Sequence, residues 1–129
     1  MVTFERAGEM LDEIADSLPI ELYRELNGGV VLLPEEKLHP QRVDDDLYIL
    51  GEYCRNSQMG KYIKIYYGSF ARLFGHLREE AFKEKLRKTL VHEVRHHNEY
   101  LAGYRDLEVY DEQKLRAYYE SKSKKNRKD

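Results

Sequence analysis

The chain has no tryptophan and only one cysteine, Cys54, in 129 residues. One cysteine excludes an intramolecular disulfide and any metal site built from several thiolates, and it suits a reducing compartment. Cys54 itself reads as a small, half-buried hydrophobe rather than a nucleophile. No stretch approaches the roughly 18 consecutive apolar residues of a membrane span, so no membrane association is expected. Segment 1–18 is amphipathic and acidic, without a cationic start before an apolar run. No secretory signal is therefore expected, and a cytoplasmic location is. Strong net charge is missing as well: a balance of -2 gives no reason to expect nucleic acid. What the chain does have is 36% charged and 41% hydrophobic residues. With a mean hydropathy of -0.79, that describes a soluble protein with much wetted surface. Eleven tyrosines place amphipathic rings at the edge of the core. The length fits one domain with a modest core.

Taken in order, Thr3 reads as the N-cap of a first helix, with Phe4, Ala7, Met10, Leu11, Ile14 and Leu18 at helical spacing. Pro19 opens a second short helix, Ile20 to Leu26, which Asn27-Gly28-Gly29 stops. Val30 to Leu33 is a buried strand, and residues 35–46 form a polar loop. Its run Asp44-Asp45-Asp46 reads as solvated rather than cation-binding, because no calcium-loop spacing surrounds it. Leu47 to Cys54 and Tyr62 to Tyr67 make a hairpin across a longish turn, Arg55 to Gly60. Ser69 caps a short helix, Phe70 to Phe74. A long helix runs from about Arg78 to Ala102, stopped by Gly103, and a last one spans about Asp111 to Tyr119. The division is a domain over residues 1–120 and a basic, disordered tail over 121–129. Helices before and after a few central strands indicate α+β, a small sheet covered on one face by helices.

The long helix carries Thr89-Leu90-Val91-His92-Glu93-Val94-Arg95-His96-His97. In this H-E-x-x-H the two histidines lie one turn apart on one helix face, where both can bind a single zinc ion. Glu93 then stands beside the metal, placed to take a proton from zinc-bound water. A chance occurrence in a chain this long has a probability on the order of one per cent. Advancing about 100° per residue from Leu86, His92 and His96 fall near -120° and -80°, on the flank of the apolar stripe. Glu93 lies between the pair and the core, so the site opens into a cleft beside the sheet. His97 falls inside the stripe and reads as a hydrogen-bonded core histidine. Thr89 reads equally as a hydrogen-bond partner for a ligand and as an ordinary helix residue. His39 and His76 read as surface loop residues.

At these residues the chain resembles the minimal zincins, small single-domain bacterial metallopeptidase-like proteins. The likeness extends over Ser17-Leu18-Pro19, the strand running into KYIKIYYGSFARL, and TLVHEVRHH. It implies a two-layer zincin-like α+β fold, with a short mixed sheet and the motif on a long helix. It also implies His92 and His96 as zinc ligands and Glu93 as general base. Many members resemble HExxHxxGxxD, but this chain has Glu99 and Ala102 at those last positions. A Gly-x-x-Asp follows four residues later, Gly103 to Asp106, an axial shift of about 6 Å. Asp106 is the choice for third ligand, Glu99 the rival and Glu108 a weaker third.

The function expected is a zinc-dependent peptidase acting on a peptide or protein, with Glu93 passing the water's proton to the leaving amine. Tyr104 and Arg105 read as structural or surface residues ahead of oxyanion stabilisers. The alternative is a zinc-binding module that docks a peptide or protein without cleaving it. A third reading is a structural adaptor that holds no zinc and uses the tyrosine-rich surface and basic end.

Overall fold

The computed structural model describes residues 1–103 and 106–126, with the backbone alone described at 106–108 and 124–126. The order is α1 (Phe4–Ser17), β1 (Gly29–Leu33), β2 (Gly51–Asn56), β3 (Gly60–Tyr66), α2 (Tyr67–Phe74), α3 (Glu79–Ala102) and α4 (Asp106–Asn126). The three strands form one mixed sheet in the order β1-β3-β2. β1 runs parallel to β3, with Val30 opposite Ile63, and β2 runs antiparallel to it, with Tyr53 opposite Ile63. This is a small α+β domain.

Alternation along β3 puts Ile63 and Ile65, both wholly buried, on one face. Against them pack Met10, Leu11 and Ile14 of α1, Phe70 of α2, and Phe82, Leu86, Leu90 and Val94 of α3. Helix α1 lies on α3, and α3 lies on β2 and β3. The Thr3 hydroxyl caps α1 by accepting from the Arg6 N–H at 3.1 Å. Gly51 lets α3 settle onto β2, since a Cβ there would stand 2.9 Å from the Thr89 methyl. Gly103, at φ 80°, takes the left-handed conformation that ends α3.

Four local expectations are corrected. The second short helix is a 3-10 turn, Ile20–Tyr23, because α3 claims one carbonyl within it and one just after it. His97 donates to the Arg24 carbonyl at 2.7 Å and Asn98 to that of Leu22 at 3.0 Å. Strand β2 starts at Gly51, not Leu47. The backbone of 47–49 pairs instead with 37–39, through His39 N–H to the Leu47 carbonyl and Ile49 N–H to that of Lys37, each 2.8 Å. Ser69 is not a cap but lies buried inside α2, where its hydroxyl accepts from the Lys37 N–H at 3.0 Å. Helix α4 begins five residues before Asp111 and runs past Tyr119 to Asn126, with no glycine or proline over 106–126 to interrupt it. Among the described residues no helix is long and apolar enough to cross a membrane.

Candidate metal centre

Helix α3 positions the motif. Its buried stripe, Phe82, Leu86, Leu90 and Val94, fixes its rotation against the sheet and so fixes where the neighbouring residues point. Glu93, at 7% exposure, is turned almost wholly inward. His92 and His96 remain partly open on the flank, with side chains 31% and 16% exposed. Their rings meet edge to face, with centroids 4.8 Å apart.

The third member comes from α4. Asp111 sets one carboxylate oxygen 3.2 Å from His92 Nε2 and the other 2.8 Å from His96 Nε2. One donor atom from each of His92, His96 and Asp111 lies within 4.8 Å of the other two, and no other such group occurs among the described residues. Two imidazoles and a carboxylate form a donor set that zinc takes in catalytic sites. The residues present therefore fit a zinc ion.

The three line an open cleft of about 730 Å³. Its walls are β2 with the preceding 47–50 segment, the outer flank of α3, and α4 from Asp111 to Tyr118. Burial pushes the Glu93 carboxyl up to about 8, with Asp111 and Glu52 adding to the rise and the Tyr53 backbone N–H opposing it. Burial also lowers the His92 imidazole, against the pull of Asp111. A bound cation acts in the opposite sense on Glu93 and favours its charged form.

His97 is the core histidine its place in the apolar stripe implies. It is fully buried, with Nε2 donating to the Arg24 carbonyl and Nδ1 therefore accepting from the Tyr53 hydroxyl, each at 2.7 Å. Thr89 lines the cleft, but its hydroxyl donates to the Lys85 carbonyl at 3.1 Å, as in an ordinary helix. His76 is exposed. His39, expected on the surface, also lines the cleft, brought there by the pairing of 37–39 with 47–49.

Of the proposed third ligands, the side chains of Asp106 and Glu108 lie outside the described residues, as do Tyr104 and Arg105. Glu99 is half-buried on α3 and is not part of the group. No sequence signal singles out Asp111. It sits beyond the helix stop at Gly103, and no motif spacing carries across that break.

The model of a family described as zincin-like metallopeptidase matches residues 29–117. The chain belongs to that family. The match takes in the sheet, α2, α3 and the part of α4 that carries Asp111. A solved structure of a conserved hypothetical protein from Thermus thermophilus is similar, with a TM-score of 0.68 and 31% identity. The likeness covers 78% of this chain and 98% of that one. No curated protein matches the chain.

Proposed function

We propose that the protein is a zinc-dependent peptidase in which His92, His96 and Asp111 hold the metal and Glu93 is the general base. The observation that carries this reading is the convergence of those three donor groups within 4.8 Å on the wall of an open cleft, with a buried carboxylate next to His92 in the chain. Bound there, zinc supplies Lewis acidity toward water and toward a peptide carbonyl. Glu93 takes a proton from the attacking water and returns it to the leaving nitrogen.

A peptide suits the cleft for two reasons. β2 is an edge strand of the sheet and forms one wall, so it offers backbone groups to an extended chain. The other reason is charge. Glu52 is occupied by Lys37 and Tyr66, whereas Lys88 on α3 and Lys114 on α4 line the cleft and make no ion pair among the described residues. Acidic peptides are the favoured substrates.

The test begins with metal content by mass spectrometry on protein purified without chelator, wild type beside His96→Ala and Glu93→Gln. About one zinc per chain in wild type and Glu93→Gln, lost in His96→Ala, is expected. Turnover of a mixed peptide library should fall by about 10²- to 10⁴-fold in Glu93→Gln. Zinc without turnover in wild type would favour the docking module, and no zinc at all would remove the centre.

A further inference from the structure

Helix α4 carries the third member of the metal group, yet little apolar surface holds it down. Its half-buried side chains are Asp111, Leu115, Tyr118 and Lys122, spaced as a single helical stripe, and its other described side chains are exposed. Only Leu115 of the four is aliphatic. The stripe is held instead by polar contacts near its two ends.

At one end Asp111 meets His92 and His96. At the other, α4 grips the loop that carries the aspartate run. The Tyr118 hydroxyl accepts from the backbone N–H of Val43 at 3.0 Å and of Asp44 at 3.4 Å, and donates to the Asp46 carboxylate at 2.9 Å. Lys122, with its side chain only 13% exposed, pairs with Asp44 at 3.0 Å and with Asp46. The Tyr119 hydroxyl donates to the Gln41 carbonyl. The loop is itself tied back at its base by the bridge between Leu38 and Tyr48. The contacts thus run from the sheet through the aspartate loop to α4, and along α4 to Asp111.

We propose that Tyr118 and Lys122 are positioning residues for the metal centre. Their latch on Asp44 and Asp46 keeps α4 docked, and docking keeps Asp111 within reach of the histidine pair. The inference rests on the reading that His92, His96 and Asp111 hold zinc. Without the latch, α4 retains Leu115, the Tyr119 bond to the Gln41 carbonyl and the Asp111 contacts, and the three-ligand arrangement becomes one state among several. Apparent affinity then drops by the fraction of molecules in which Asp111 is in place, so tenth-occupancy docking means about tenfold weaker zinc. The latch includes charge pairs near solvent, so salt weakens it.

The experiment is zinc affinity by chelator competition on the full chain. The variants are Tyr118→Phe with Lys122→Gln, Asp44→Asn with Asp46→Asn, and Lys122→Arg, each with Asp111 present and with Asp111→Ala. Both latch-breaking pairs should weaken zinc by about tenfold. Lys122→Arg, which keeps the charge, should retain most of the affinity. In the Asp111→Ala background the latch pairs should change nothing further, because the residue they position is gone. That dependence separates positioning from a general loss of stability, which would lower affinity equally with or without Asp111. Wild-type affinity in both latch pairs, or an equal loss in both backgrounds, would overturn the proposal while leaving the zinc centre standing. Failure of the wild type to bind zinc would overturn the centre and the latch together.

Discussion

The carboxylate of Asp111 lies 2.8 Å from His96 Nε2 and so joins two helices that Gly103 separates in the chain. If that contact marks a ligand position, Asp111→Ala should lower zinc affinity by more than about 100-fold, beyond the loss typical of a residue that only supports a ligand. Asp106→Ala, measured beside it, should leave affinity within a few-fold of wild type. The reverse pattern would return the third position to Asp106. Chelator competition with a chromogenic zinc indicator reads both.

The difference between His96 and Asp111 shows what the sequence carries. His92, Glu93 and His96 share one helix, and a period of about 3.6 residues relates them to the apolar stripe. Their face, and the inward turn of Glu93 and His97, follow from that period alone. Asp111 is placed by how α4 packs after the break at Gly103, and no local pattern records that angle. Long-range pairing hid other features for the same reason. Leu47 to Leu50 has strand composition, but its backbone partners are residues 37–39, not β3 throughout. The aspartate run read as a solvated loop because Lys122, its partner, is 76 residues further on. The lysine-rich end read as a tail because the contacts of Tyr118 and Lys122 with that loop cannot be seen from composition.

Cleft charge gives a specificity prediction. Lys88 stands on α3, which bears the histidine pair, and Lys114 on α4, which bears Asp111; both line the cleft, and neither has an ion-pair partner among the described residues. Replacing both by glutamate should reverse any preference for acidic over basic peptides. A rim charge acts mainly on association, so kcat/KM for an acidic peptide should fall by about 10-fold or more while zinc content holds. The effect should shrink with added salt. Unchanged discrimination between matched acidic and basic peptides would show that these lysines take no part in recognition.

The opposite face of the sheet gives a pH prediction. The Tyr66 hydroxyl and the Lys37 ammonium both donate to the same Glu52 oxygen, at 2.5 and 2.9 Å. Burial acts to raise the Glu52 carboxyl, but the hydrogen bonds from Tyr66 and Lys37, with the charge of Lys37, outweigh it and hold the group below its ordinary value. A carboxylate lowered in the folded state contributes stability that is present above its unfolded pKa of about 4.3. That contribution is lost as pH falls through the lower folded value. Urea denaturation of metal-free protein should therefore show Glu52→Gln less stable than wild type at pH 7, with the gap closing toward pH 3. A gap independent of pH would mean that Glu52 contributes by packing, not by charge.

His97 ties the helix that bears the metal site to both β2 and the segment after α1. With Nε2 donating to the Arg24 carbonyl and Nδ1 bonded to the Tyr53 hydroxyl, the ring has both nitrogens satisfied at 0% exposure. Removing it leaves two partly buried polar groups without their partner, at about 1–3 kcal/mol each, and opens a cavity. His97→Ala should thus destabilise the protein by roughly 3–5 kcal/mol in urea titration, near the total for a marginal domain. Tyr53→Phe leaves only the buried Nδ1 of His97 without a partner and opens no comparable cavity, so it should cost about 1–3 kcal/mol. Neither residue belongs to the metal group, so Tyr53→Phe should keep wild-type zinc stoichiometry. A folded His97→Ala protein of nearly wild-type stability that no longer bound zinc would reverse this assignment and move His97 from the core to the metal.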